Sequence, residues 1–152
     1  MPEESQSITA QVQKDMVDAM KARDKERVQA LRMILSELKL AGKEARPGFG
    51  KAEEIAVLRR EKKRRQQAAA SFRSGGREDR AAGEEAEAAI IDVYLPQELG
   101  ESDLEGIVDE AIAATGASGV KDMGKVMSAV MKRTAGRADG KKVSGMVKGR
   151  LQ

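Results

Sequence analysis

The spacing of its apolar residues limits this chain more than any other feature. No stretch alternates apolar and polar residues with a period of two, whereas apolar residues return every three or four positions in seven separate segments. A period of two marks a half-buried strand, and a period near 3.6 marks an amphipathic helix. The spacing therefore predicts an all-α chain: an N-terminal four-helix unit followed by a small three-helix C-terminal domain.

Breaks between the segments set their order. Ser7 is placed as the N-cap of a helix over residues 7–22 with Ile8, Val12, Met16, Ala19 and Met20 on one side. Asp24 caps a second helix, ending near Gly42, whose core face is Val28, Leu31, Ile34, Leu35 and Leu38. The two are expected to pack as an antiparallel pair. The loop GKEARPGFGK (42–51) holds three glycines and a proline and cannot continue a helix. A third helix is predicted from Ala52 to Phe72, anchored by Ile55, Leu58 and Phe72, but its middle, RREKKRRQQ (59–67), has no apolar residue. Such a run reads as a solvated face, or more sharply as a second contact with nucleic acid.

Ser74-Gly75-Gly76 then breaks the chain, and a fourth helix over 77–94 is expected to turn Ala86, Ala89, Ile90 and Val93 inward. It stops at Tyr94-Leu95-Pro96, because proline disfavours helix in the residue before it. The division that results is an N-terminal domain over 1–95, a linker over 96–101 and a C-terminal domain over 102–152. Ser102 is read as the start of the next helix, with Glu105 completing a capping box and Leu104, Ile107, Val108, Ala111 and Ile112 as its apolar face.

Charge is segregated along the chain. Between Lys121 and Arg150 there are nine basic residues and two acids, a local excess of +7 in a protein whose net charge is +3. That asymmetry points to a polyanionic partner. On a helical wheel Met123, Val126, Met127, Val130 and Met131 share one face, while Lys121, Lys125 and Lys132 lie opposite. A second helix starts with Asp139 as N-cap; its apolar face is Val143, Met146, Val147 and Leu151, with Lys141, Gly145 and Lys148 opposite and Gly149 nearby. Lys121, Lys125, Lys132, Arg137, Lys141 and Lys148 are the candidate nucleic-acid-binding residues. Gly124, Gly136, Gly145 and Gly149 are candidates for close approach of a backbone, since glycine inside a helix costs about 1 kcal/mol relative to alanine.

Composition excludes several chemistries. With no Cys and no His, the chain lacks thiol and imidazole nucleophiles, disulfides and soft metal ligands. No catalytic residue, metal or cofactor is expected. One Tyr, two Phe and no Trp leave little with which to stack unpaired bases, so a nucleic acid would be read through its backbone and shape. No apolar run reaches membrane length, and the acidic start MPEESQ is unlike a signal or transit peptide, so the expected setting is cytoplasmic, without a membrane. The segment from Gly119 to Val126 imitates a phosphate-binding loop, but Val126 offers no hydroxyl to magnesium and no strand precedes it. The acids Glu84, Glu85 and Glu87, like Asp109 and Glu110, are placed on outward, solvated faces.

Several short motifs recur together in order: Leu31-Arg32-Met33, Gly76-Arg77-Glu78-Asp79, Tyr94-Leu95-Pro96, Asp122-Met123-Gly124-Lys125-Val126-Met127 and Gly136-Arg137-Ala138-Asp139 with Val143. This set resembles the YqeY family over almost the whole chain. The C-terminal third is also similar to the tail domain of the B subunit of glutamine-dependent aminoacyl-tRNA amidotransferases (GatB), a small helical module that contacts tRNA. Two positions depart from the pattern: Gly140, where the tail tends to have proline, and Lys62, where an aliphatic residue is expected. The resemblance implies a non-catalytic accessory module that binds tRNA, with an aminoacyl-tRNA amidotransferase or synthetase as a further partner. It carries no carbon–nitrogen ligase activity across. The competing expectation is a helical protein-interaction adaptor with no role in nucleic-acid binding.

Overall fold

A computed structural model describes residues 7–152, with the backbone alone at Arg46; the acidic start MPEESQ lies outside the described residues. These form α1 (Ile8–Lys21), α2 (Lys25–Ala45), α3 (Lys51–Ser74), α4 (Glu78–Asp92), α5 (Glu101–Thr115), α6 (Met123–Thr134) and α7 (Gly140–Leu151), with single 3-10 turns at Arg46–Gly48 and Val120–Asp122. No strand occurs among the described residues, so the all-α expectation holds. The chain divides into two compact units, Met1–Leu95 and Pro96–Gln152.

In the first unit α1 packs on α2 and α3 on α4. Their core is built from Val12, Leu31, Ile34, Leu38, Ile55, Leu58 and Ile91. The start of α1 shows how its backbone is satisfied. Ile8 and Thr9 donate their N–H groups to the buried Glu54 carboxylate at 3.2 and 2.6 Å, Ala10 N–H donates to Ser7 Oγ at 3.1 Å, and Gln11 N–H to Ser7 O at 3.0 Å. The last of these is the first intrahelical bond, and the N–H groups of the three residues before it, which have no acceptor within the helix, all find side-chain acceptors. Asp24 likewise accepts from Arg27 N–H at 3.1 Å. Met20, expected inside, is instead 52% exposed. The second helix runs three residues past Gly42, and the loop that follows folds back to lay the Phe49 ring beside Gly42, where an added Cβ would lie 3.3 Å from Phe49 Cδ1.

The largest departure from the sequence reading is the face that α4 turns inward. Ala81, Ala88 and Ile91 are buried, while Ala86, Ala89 and Val93 are exposed and Ile90 is half-buried. The cause is one side of α3: Arg60, Lys63, Arg64, Gln66 and Gln67 of its charged middle face water, but Lys62 and Arg65, with Arg73 further on, reach the acids of α4. Arg65 pairs with Glu84 at 3.2 Å and Glu87 at 3.0 Å, Lys62 with Asp92 at 2.7 Å, and Arg73 with Glu85 at 2.7 Å and Glu78 at 2.8 Å. Glu61 is buried and accepts from Arg64 at 3.0 Å. The acids placed on a solvated face are therefore the partners of α3, and α4 rotates to bring them there. Lys62 stands where an aliphatic was expected because Asp92 receives it.

Tyr94, just past α4, donates its hydroxyl to Asp15 Oδ2 at 2.5 Å. Burial, and then this carboxylate, push the phenol well above its ordinary value. A folded pKa raised above the unfolded one contributes stability that is fully present below about pH 10 and is lost as pH rises through the folded value. Denaturant titrations between pH 8 and 12 should therefore show the parent weakening more steeply than Tyr94→Phe above about pH 10; parallel curves would remove Tyr94 from the alkaline response.

The second unit packs α5, α6 and α7 around Leu104, Val108, Val126, Val130, Val143 and Val147. Its first helix begins at Glu101 with Gly100, not Ser102, as N-cap, and no side chain completes a cap. Starting there places Glu101 and Asp103 in the first turn, where the helix dipole favours acids. Residues 97–99 hold bonds inside this unit: Leu99 N–H donates to Arg137 O at 2.8 Å, and Arg137 Nε donates to Gln97 O at 3.0 Å.

Candidate nucleic-acid interface

The last two helices each have a dry side and a wet side. Val126 and Val130 of α6 and Val143 and Val147 of α7 are fully buried in one core. Residues opposite them on a 3.6 period are forced outward. Lys125, Lys132, Lys141 and Lys148 are accordingly exposed, as is Lys121 in the 3-10 turn ahead of α6. At 1.5 Å per residue each pair, Lys125 with Lys132 and Lys141 with Lys148, spans about 10 Å of helix. That separation suits successive phosphates of one strand better than a single small anion.

Ion pairing sorts the basic residues. Arg133 pairs with Glu110 at 2.6 Å and Arg150 with Asp109 at 3.2 Å, so the acids of α5 neutralise the arginines that flank it. These two carboxylates, placed among solvated acids by the sequence reading, thus have partners. Lys132, Lys141 and Lys148 have no ion pair among the described residues, nor has Lys142, which is exposed as well. The sequence reading passed over Lys142 because on the wheel it falls beside the core stripe rather than opposite it. Arg137 has a different local task, since its Nε and its carbonyl hold residues 97–99. Its guanidinium is exposed but part of it is committed.

Asp122 sits among the cations of the α6 start. Its carboxylate accepts from Ser118 N–H at 3.0 Å. That bond, with Lys125 and Lys121 nearby, holds its carboxyl below the usual range. Asp122 therefore stays charged and offsets part of the Lys121 and Lys125 field, leaving α7 and the end of α6 as the more strongly positive parts. Asp139 occupies the N-cap position of α7, but its side chain makes no capping bond; only its carbonyl accepts, from Val143 N–H at 3.0 Å. The first N–H groups of α7 therefore point outward without a side-chain cap, next to Lys141.

The glycines separate into two kinds. Gly136, at φ 81°, follows Ala135 at φ 48° and makes the left-handed turn that ends α6. A Cβ at Gly124, Gly145 or Gly149 would meet no atom of this chain within 4 Å. Close packing inside the unit does not explain these three, and their outward surface is bare backbone. The imitation phosphate loop fails on structure too: α5 and a turn precede it, and Gly124 lies inside the first turn of α6.

The family described as Yqey-like protein matches residues 9–151. An uncharacterised protein of Schizosaccharomyces pombe is 32% identical over 91 residues, covering 60% of this chain and 74% of the relative. A protein of Pyrenophora tritici-repentis named altered inheritance of mitochondria protein 41, mitochondrial, is 26% identical over 133 residues, 86% of this chain and 73% of the relative. A match running from the first turn of α1 to the last residue of α7 spans both units, and the chain belongs to the YqeY family.

Proposed function

We propose that this chain is a non-catalytic tRNA-binding accessory module, and that the wet faces of α6 and α7 hold the tRNA backbone. The observation that carries the reading is selective neutralisation: α5 pairs off Arg133 and Arg150, while Lys132, Lys141, Lys142 and Lys148 keep their charge unpaired. Phosphate contacts need such cations, and bare backbone at Gly124, Gly145 and Gly149 lets a sugar–phosphate chain come close. The uncapped start of α7 adds an anion contact. The similarity to the amidotransferase B-subunit tail supports tRNA over other polyanions, and a cytoplasmic setting beside an aminoacyl-tRNA amidotransferase or synthetase goes with it.

Filter binding of bulk tRNA over a salt series tests this. Each neutralised phosphate contributes about 0.7–0.9 to the log–log slope, so Lys125→Ala/Lys141→Ala should lower the slope by about 1.5. Affinity at moderate salt should fall about tenfold, alike for different tRNAs. Lys39→Ala, on α2, should change neither. A folded double variant that binds as tightly as the parent would make these lysines an ordinary solvated face and favour the adaptor reading.

A further inference from the structure

The first unit carries a second cationic feature that the tRNA reading does not use. A cavity of about 530 Å³, open to solvent, lies at the turn from α1 to α2 and is lined by Met20, Arg23, Lys25, Val28, Gln29 and Arg32. Its lining holds three cations and no acid. The neighbouring Asp24 carboxylate is turned to the Arg27 N–H and caps α2. Arg23, Lys25 and Arg32 are exposed and have no ion pair among the described residues. The apolar part is equally unusual: Met20 is 52% exposed, and Val17, one turn earlier on α1, is 41% exposed. A thioether that size left in water is an adaptable apolar contact.

The backbone supplies an independent sign. Arg23 has φ 58°, in the left-handed region where a side chain costs about 1 kcal/mol or more relative to glycine. Arg23 N–H donates to Met20 O at 3.1 Å and Asp24 N–H to Ala19 O at 3.0 Å, so the turn is a helix end of the kind glycine fills best. Strain held at a cavity rim is a pointer to use of the side chain.

We propose that this cavity docks an acidic peptide segment of a partner protein, with one aliphatic side chain seated on Met20 and Val28 and flanking carboxylates on Arg23, Lys25 and Arg32. Charge complementarity selects the occupant. An apolar floor without an aromatic ring offers a nucleic-acid base nothing to stack on. A small metabolite needs buried polar groups to orient it, and every polar side chain of the lining is exposed. An acidic segment with an aliphatic anchor satisfies both halves of the lining.

The test uses the full chain and a fluorescein-labelled octapeptide with two central leucines between glutamates, followed by fluorescence anisotropy. Binding should be micromolar, at least fivefold weaker for the same peptide with serines in place of leucines, and at least tenfold weaker for Arg23→Gly/Arg32→Ala. Arg23→Gly alone should weaken binding yet raise the melting temperature by about 2–5 °C, two readouts that a merely structural arginine would not move in opposite directions. Lys125→Ala/Lys141→Ala should bind the peptide like the parent, whatever it does to tRNA. Equal binding of the leucine and serine peptides, unchanged binding by the double arginine variant, or no binding at millimolar peptide overturns the proposal. So does a loss of tRNA affinity in Arg23→Gly/Arg32→Ala without loss of peptide affinity, which would assign the patch to RNA.

Discussion

Glu54→Ala should lower the unfolding free energy of the first unit by about 2–4 kcal/mol, one of the largest effects of any single polar substitution in the chain. Its carboxylate is 3% exposed in terms of the whole residue and takes the Ile8 and Thr9 N–H groups together with Thr9 Oγ1, the last at 2.6 Å. Removing it leaves two backbone donors at the start of α1 with no acceptor, and each unmade buried bond costs about 1–3 kcal/mol. The favourable interaction of an acid with the helix N-terminus goes as well. Glu54→Gln should fall between, because the carboxamide keeps one acceptor oxygen but turns an NH₂ toward donors. Urea denaturation checks the order parent, Gln, Ala; an alanine variant within about 0.5 kcal/mol of the parent would mean that water replaces the carboxylate there.

Arg65→Ala is the second large effect, about 2–3 kcal/mol lost, discounted from the roughly 3–5 kcal/mol for breaking a fully buried pair. Its guanidinium is 20% exposed and lies between Glu84 and Glu87, at 21% and 33%. Deleting it leaves two half-buried carboxylates close together without a cation. The carboxylates do the damage, so Arg65→Ala/Glu84→Gln/Glu87→Gln should recover most of the loss. Thermal denaturation of the single and triple variants decides this; a triple variant no better than the single one would show that Arg65 acts through packing, including its contact with the Met33 thioether.

These two predictions mark where the sequence was legible and where it was not. Caps at Ser7 and Asp24 depend on residues three positions away, and both were placed correctly from local chemistry. The buried faces of α2 and α7 are apolar throughout, so spacing alone located them; in α6 it located Val126 and Val130, but Met131, expected inside, is 37% exposed and Thr134 is buried in the last turn. The third helix is different. Its inward stripe continues from Leu58 through Glu61, Lys62 and Arg65 to Ala69, keeping helical spacing while changing to charge. Residue type suggested a solvated tract, which holds for Arg60, Lys63, Arg64, Gln66 and Gln67; spacing, followed without regard to type, would have pointed Glu61, Lys62 and Arg65 inward. The face of α4 was misplaced for the same reason, since its partners lie 19 residues away at Arg65–Glu84 and 30 at Lys62–Asp92. Glu54 gave no local signal at all, as the helix it caps begins 46 residues earlier. In the candidate interface, spacing identified the exposed lysines. It did not reveal the pairing of Arg133 and Arg150 with α5, the structural commitment of Arg137, or the exposed Lys142.

The anchoring of Tyr94 on Asp15 has a spectroscopic consequence. Tyr94 is the single tyrosine of a chain with no tryptophan, and both phenylalanines, Phe49 and Phe72, also precede residue 96. Every aromatic chromophore therefore belongs to the first unit. Near-ultraviolet absorbance and intrinsic emission follow that unit and are blind to α5, α6 and α7, whereas far-ultraviolet circular dichroism sees the helices of both units. Any melting that dichroism records and tyrosine emission misses belongs to the lysine-bearing unit, so two spectra of the unlabelled protein separate the stability of the candidate RNA surface from that of the cavity-bearing one.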